Sequence, residues 1–321
     1  MPRARIETLP VADWIAFDRA HPAPTFFARP AWALALARAF PHLQPAALHV
    51  TLPGERRVLL PACTHRGFAG TQHVSGFPLG AYTVALRDDG TVATAADASD
   101  AVAAIARAYD SVELNCWPFA TFDVAAERAH FVEAAVLDLA GGVDAALVHM
   151  DGRFRRTAGQ AERRGVRCSM ETGPQAIEAY YGLLAESAAR WGLAAPSISR
   201  ALLDAVAEYG GDDVEFWFAR RGADCAAGGV MLYGAQEAFF WTAAMRTEFA
   251  ALRPSNALNL ALINRSVERG AIWFNMGASE GLPGVAHFKK QLGTYAVPYR
   301  VLWTSTGVYR AARKLRAVLG K

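Results

Sequence analysis

Residues 228–303 read GGVMLYGAQEAFFWTAAMRTEFAALRPSNALNLALINRSVERGAIWFNMGASEGLPGVAHFKKQLGTYAVPYRVLW, and this stretch decides the fold. It starts within a strand, CAAGGVMLYG, which turns at Gly234-Ala235 into a second strand, AFFWTAAMR. A helix is predicted from Ser255 to Arg269, with Leu260, Ile263 and Val267 spaced along one face, and it ends at Gly270, a residue suited to closing a helix. The strand AIWFNM follows, then a helix carrying FKK and a last strand. Two strands, a helix and a strand make an α/β pattern.

Working outward, DVEFWFARR pairs with CAAGGVMLYG across Arg221-Gly222-Ala223-Asp224, and two helices precede it. In the first of these, PQAIEAYYGLLAESAARW, residues Ile177, Tyr180, Tyr181, Leu184 and Trp191 form one stripe; the second runs from about Ser197 to Tyr209. The first half of the chain has the same order. TFFARPAWALALARAF holds a helix with Trp32, Leu36 and Phe40 on one side, and PAALHVTL and RVLLPAC form a hairpin around Pro53-Gly54-Glu55-Arg56. A strand is predicted at Tyr82–Leu86, a helix from about Ala98 to Tyr109, and the strand SVELNC closes the set. Asn115 and Asn275 occupy matching places, so the chain reads as a duplicated α/β unit divided near Gly141-Gly142, with domains 1–141 and 142–321 and a basic helix at the C-terminal end.

Composition bounds the function. The 321 residues are 53% hydrophobic and 20% charged, which suits a folded core and excludes a chain that is mainly disordered. A net charge of +3 is too small to make the whole protein a nucleic-acid binder, and DNA is not an expected partner. No apolar run approaches the ~20 residues of a membrane-spanning helix. MPRARIETLPVADW has no apolar segment behind its basic residues, so the expected location is the cytoplasm. The four cysteines are scattered without a CxxC pair, and no metal motif, phosphate-binding Walker loop or nucleophile elbow is present; no metal cofactor is expected.

The order of a Gly228-Gly229 strand, an aromatic strand, Arg-Pro-Ser-Asn at a helix start, ERG before a strand and FKKQLG before another resembles the FemAB-related tandem GNAT-type acyltransferases, including the subset labelled BioF2-like or CelD-like. FRRTAGQAERRGV at residues 154–166 is similar to the arginine-rich segment that enters the second domain of that family. The resemblance implies two GNAT-like folds, each a mixed sheet flanked by helices, and transfer of an acyl or aminoacyl group to an amine. The donor it implies is an acyl-CoA or an aminoacyl-tRNA, and the acceptor class includes cell-envelope and exopolysaccharide precursors. Two departures matter: Asn275 stands where relatives often carry Asp, and TEFAALRPS occupies the place of the glycine-rich pyrophosphate loop of ordinary GNAT enzymes. A degenerate module that binds a precursor or a partner protein without chemistry is the alternative these departures suit.

Amide formation by acyl transfer requires a deprotonated amine, a polarised carbonyl and a held donor. Lys289, on the FK motif of the resemblance, is the candidate for a phosphate contact or for oxyanion stabilisation, against a solvated helix charge. His287 and Glu280 are the candidate proton relays, against a surface histidine and an exposed loop acid. Asn275, Gly277 and Ser279 sit at and just beyond a strand end, where Asn275 either orients a substrate or caps a turn. Trp241 lines a cleft or packs in the core; Arg246, Arg253 and Asn256 are candidate donor-binding residues around a helix start with free backbone N–H groups. Arg155 and Arg156 lead a run with Arg153, Arg163, Arg164 and Arg167 that offers a surface to a phosphorylated carrier, tRNA among them. Cys225 lacks a local histidine and is discounted as a nucleophile.

Overall fold

The computed structural model describes residues 4–76, 79–279 and 281–318. Along the chain come β1 (Arg5–Leu9), α1 (Val11–Ala20), α2 (Pro30–Ala39), β2 (Gln44–Thr51), β3 (Arg57–Arg66), β4 (Gln72–Gly76), α3 (Ala95–Ala108), β5 (Ser111–Asn115) and β6 (Arg128–Asp138). Then follow α4 (Gly142–Val148), α5 (Gly152–Arg163), β7 (Val166–Glu171), α6 (Gly173–Arg190), α7 (Arg200–Gly210), β8 (Val214–Arg221) and β9 (Asp224–Tyr233). The last elements are β10 (Glu237–Met245), α8 (Pro254–Glu268), β11 (Trp273–Ala278), α9 (Pro283–Gln291), β12 (Tyr295–Ser305) and α10 (Gly307–Val318).

Two compact units divide the described residues: Met1–Ala23, Phe27–Glu133 and Val297–Lys321 contribute to one, Pro24–Phe26 and Ala134–Ala296 to the other. The expected division at 141/142 therefore falls inside the second unit, and most of β12 belongs to the first. Hydrogen bonding explains the return of the chain: Val301–Ser305 of β12 pair antiparallel with Asn115–Ser111 of β5.

In the first unit the strand order is β1-β2-β3-β4-β5-β12, with β3–β4 antiparallel and β4–β5 parallel. In the second it is β6-β11-β10-β9-β8-β7, with β9–β10 antiparallel and β10–β11 parallel. Each parallel step is bridged by one helix, α3 or α8, which is the duplicated unit read from the sequence. The strand predicted at Tyr82–Leu86 is not a ladder strand. It makes single rungs, Thr83 with Cys116 and Leu86 with Leu59 and Val92, because its backbone meets each neighbour at one residue only.

Local chemistry sets the element ends. Thr94 caps α3 by accepting from Asp97 N at 3.2 Å, and Ser199 caps α7 by accepting from Leu202 N at 3.2 Å. Pro254 at the start of α8 needs no donor of its own. The buried side of α8 carries Ala257, Leu258, Leu262, Ile263 and Ser266, a face rotated from the predicted Leu260–Ile263–Val267 stripe. Ser266 tolerates that burial by donating to Leu262 O at 2.7 Å. These side chains pack with Phe274 of β11 and Leu292 after α9 in one core, each fully buried aliphatic or aromatic side chain contributing roughly 1.5–3 kcal/mol. No helix among the described residues is long and apolar enough to cross a membrane.

Candidate active site in the second unit

The site begins where two parallel strands part. β10 and β11 pair through Glu237–Trp273, Ala238–Phe274 and Phe239–Asn275 only, after which β10 continues its ladder with β9 as far as Met245. Within that ladder the register shifts between Phe240 and Thr242, so Trp241 is a bulged residue at the parting point.

Asn275 shapes the same place from β11. Its side chain is 0% exposed; Nδ2 donates to Glu237 Oε1 at 2.7 Å, and Oδ1 accepts from Gly277 N at 2.8 Å. Gly277 has a φ of +64°, a conformation that disfavours any side chain, and a Cβ there would stand 3.3 Å from Phe239 Cζ. The bend it permits turns three consecutive carbonyls toward one nitrogen. Lys289 Nζ donates to Met276 O at 2.7 Å, Gly277 O at 3.0 Å and Ala278 O at 2.8 Å, and the side chain is buried. Those carbonyls are thereby satisfied without β10, which keeps the parted strands apart. Burial lowers the Lys289 pKa to about 8.

A cavity of ≈450 Å³ lies beside this opening. Phe240, Trp241, Met245, Leu258, Met276 and Phe288 give it apolar walls, while Thr242, Ser255, Asn259 and Lys289 are its polar side chains. Tyr180 donates its hydroxyl to Thr242 Oγ1 at 3.1 Å from within the core. Among the described residues Lys289 is the one charged residue of this lining.

A second cavity of ≈400 Å³ opens at the start of α8, and Met245, Ser255 and Phe288 line both. Its polar wall comes from Arg153, Thr157, Arg253, Asn256 and Gln291. The glycine-free stretch Thr247–Leu252 winds as a 3-10 segment and ends at Arg253, which is left-handed at φ 57° and ψ 44° and serves as the N-cap position of α8 without a side-chain cap bond. Asn256 Nδ2 donates to Thr157 Oγ1 at 2.9 Å, tying α8 to α5. Among the described residues neither Arg153 nor Arg253 has a carboxylate partner. Two guanidinium groups beside a helix N-terminus give this cavity positive charge from side chains where a glycine-rich loop would offer backbone N–H groups.

The structure brings together Lys289, Trp241, Arg253 and Asn256 on the two cavities, and it makes Asn275 and Gly277 the frame of the opening. Ser279 follows that frame, with a buried Oγ that has no hydrogen-bond partner among the described residues. Arg246 is turned into an ion pair with Glu186 at 2.7 Å. His287 is exposed on α9, 3.2 Å from Gln291 Nε2, and lines neither cavity. Arg155 and Arg156 are exposed on α5 outside both linings. Glu280 lies outside the described residues. Burial raises the Cys225 pKa, as expected for an inert thiol. Asn259, Thr157 and Phe288 were not singled out by the sequence, and the helical spacing from Arg153 to Thr157 and from Ser255 to Asn259 is the one signal that could have found the first two.

Residues 149–290 match the family model described as an acetyltransferase (GNAT) domain. FemX is similar in structure over 99% of this chain and 100% of its own, with a TM-score of 0.65 at 12% identity. The C-terminal domain (DUF2156) of a putative lysylphosphatidylglycerol synthetase from Agrobacterium fabrum is similar over 96% of both chains, with a TM-score of 0.54 at 13% identity. A tandem GNAT protein from the clavulanic acid biosynthesis pathway is similar over 94% of this chain and 98% of its own, with a TM-score of 0.50 at 13% identity. At these identities the likeness is one of fold. No curated protein matches the chain.

Proposed function

We propose that the chain is an acyltransferase of the FemAB-like tandem GNAT kind, a reading supported by the GNAT family model over residues 149–290 and by the likeness of fold to FemX and a tandem GNAT protein, and that it moves an acyl group from a phosphorylated thioester of the acyl-CoA kind to an amine acceptor, a small molecule or an envelope precursor. The observation that carries this reading is the parting of β10 and β11 after three residue pairs, held open by Lys289 and flanked by an apolar cavity. The acyl arm of the donor fits between the strands, and its phosphate end meets Arg153, Arg253 and the start of α8.

The charge of the cavity favours a neutral acyl group over an aminoacyl group. Its lining contains Lys289, so the ammonium of an aminoacyl donor would meet like charge there. In the transfer the amine nitrogen bonds to the carbonyl carbon, the carbon–sulfur bond breaks, and the thiolate leaves. That thiolate, with an ordinary thiol pKa of about 8.5, is able to take the proton the amine gives up, so the step balances without a side-chain base. Lys289 holds the strand end in place and contributes positive potential near the developing oxyanion. All three of its N–H groups are already given to carbonyls, which makes it a positioning residue in this arrangement.

Isothermal titration with coenzyme A, acetyl-CoA and a long-chain acyl-CoA tests the reading. Saturable binding, lost when Arg153 and Arg253 are both replaced by Ala, is the expected result. A well-folded sample that binds none of the three but binds aminoacyl-tRNA would refute the thioester donor.

A further inference from the structure

Asn259 is 2% exposed and stands in the wall of the cavity beside β10 and β11. Its Nδ2 donates to Ser255 O at 2.8 Å, one turn back along α8, and its Oδ1 has no hydrogen-bond partner among the described residues. That bond fixes the orientation of the carboxamide, since exchanging the two atoms would set oxygen against oxygen. Its neighbours on the buried side of the helix, Leu258, Leu262 and Ile263, are apolar, and a leucine at 259 would meet the packing need without burying an open acceptor. The other polar side chains named in the lining of this cavity are engaged: Lys289 gives its three N–H groups to β11 carbonyls, Thr242 accepts from Tyr180, and Ser255 donates to Met245 Sδ.

We infer that Asn259 Oδ1 is the acceptor that reads the acyl donor, taking a hydrogen bond from an N–H or O–H group of the donor lodged between β10 and β11. The assignment rests on the donor reading above. Two parts of a thioester donor carry such a group: an amide of the arm that bears the thiol, or a hydroxyl on the acyl group itself. With Asn259 as acceptor the residue is a specificity determinant, because an N–H or O–H group of the ligand left unpaired against the apolar walls of the cavity loses affinity.

The test is titration calorimetry of coenzyme A, butyryl-CoA and 3-hydroxybutyryl-CoA against the full-length wild type, Asn259→Leu and Asn259→Ala. If the arm amide is read, both variants bind all three ligands about tenfold or more weakly. If the acyl hydroxyl is read, only 3-hydroxybutyryl-CoA loses that factor. Equal binding of all three ligands to wild type and variants, within about twofold, overturns the assignment, as does a loss with Leu that Ala does not share, which would be a packing effect. Failure of the wild type to bind any of the three is a separate outcome, visible before any variant is made; it removes the donor reading and the assignment together.

Discussion

Replacing Arg253 by Gly should weaken binding of the donor while leaving the fold at least as stable as before. Arg253 holds a left-handed backbone at φ 57° and ψ 44°, and its exposed side chain lines the cavity at the start of α8. An L-residue in that region costs roughly 1–2 kcal/mol, which Gly does not incur. Gly also frees the unfolded chain, which returns about 0.4–1 kcal/mol to the unfolded side. The difference leaves the variant between unchanged and about 1.5 kcal/mol more stable, a rise of roughly 6 °C or less in Tm for units of this size. A charge-assisted bond to phosphate contributes about 1.5–3 kcal/mol, and the lower end applies to an exposed guanidinium, so affinity for coenzyme A should fall about tenfold. The loss should shrink as salt rises. Calorimetry at two salt concentrations and thermal unfolding of the same samples give both numbers. Arg253→Gly binding as tightly as wild type, or Arg253→Gly failing to fold, would refute the reasoning.

Lys289→Met removes the donor of three carbonyls at the end of β11 and should destabilise the protein by roughly 2–4 kcal/mol in urea unfolding, with weaker binding of acyl-CoA as the strand end moves. The pH dependence has a definite sign. Burial lowers the Lys289 pKa from 10.5 to about 8, so between those values the unfolded state binds more protons and the contribution of this residue to stability rises with pH, by at most about 3 kcal/mol. The stability of wild type relative to Lys289→Met should therefore increase from pH 7 to pH 10; a flat or falling difference contradicts the burial of an ammonium. His287→Ala should leave acyl transfer within about twofold and stability within about 0.5 kcal/mol, since the ring is exposed and meets Gln291; a collapse of turnover would restore it as a base.

Local pattern made the second unit legible. Arg-Pro-Ser-Asn does open α8, and WFNM of the predicted AIWFNM strand lies in β11, which starts two residues later, because capping chemistry, period and motif order act over a few residues. His287 and Lys289 are two positions apart on α9, close to opposite sides of a helix, so the proximity that made both candidates in the sequence separates them in space. The same geometry divides Arg153 from Arg155, two positions on along α5: the buried side is fixed by Phe154, Ala158 and Ala161, and Arg153 is the arginine of this helix that lines the cavity. What could not be read are features set by pairing between distant segments. The Trp241 bulge depends on β9, the parting of β10 and β11 on Lys289, and the membership of β12 on β5, far back in the chain. Asn259 looks like any polar residue of an amphipathic helix until the burial of its face is known.

The most direct test of the account is hydrogen exchange of the wild type with and without acetyl-CoA, read by mass spectrometry. The account predicts slower exchange concentrated in peptides covering residues 240–258 and 276–289, where the lining of both cavities is concentrated. Saturating ligand that leaves those peptides unchanged, or protects peptides elsewhere in their place, would contradict the claim that the parted strands hold the donor.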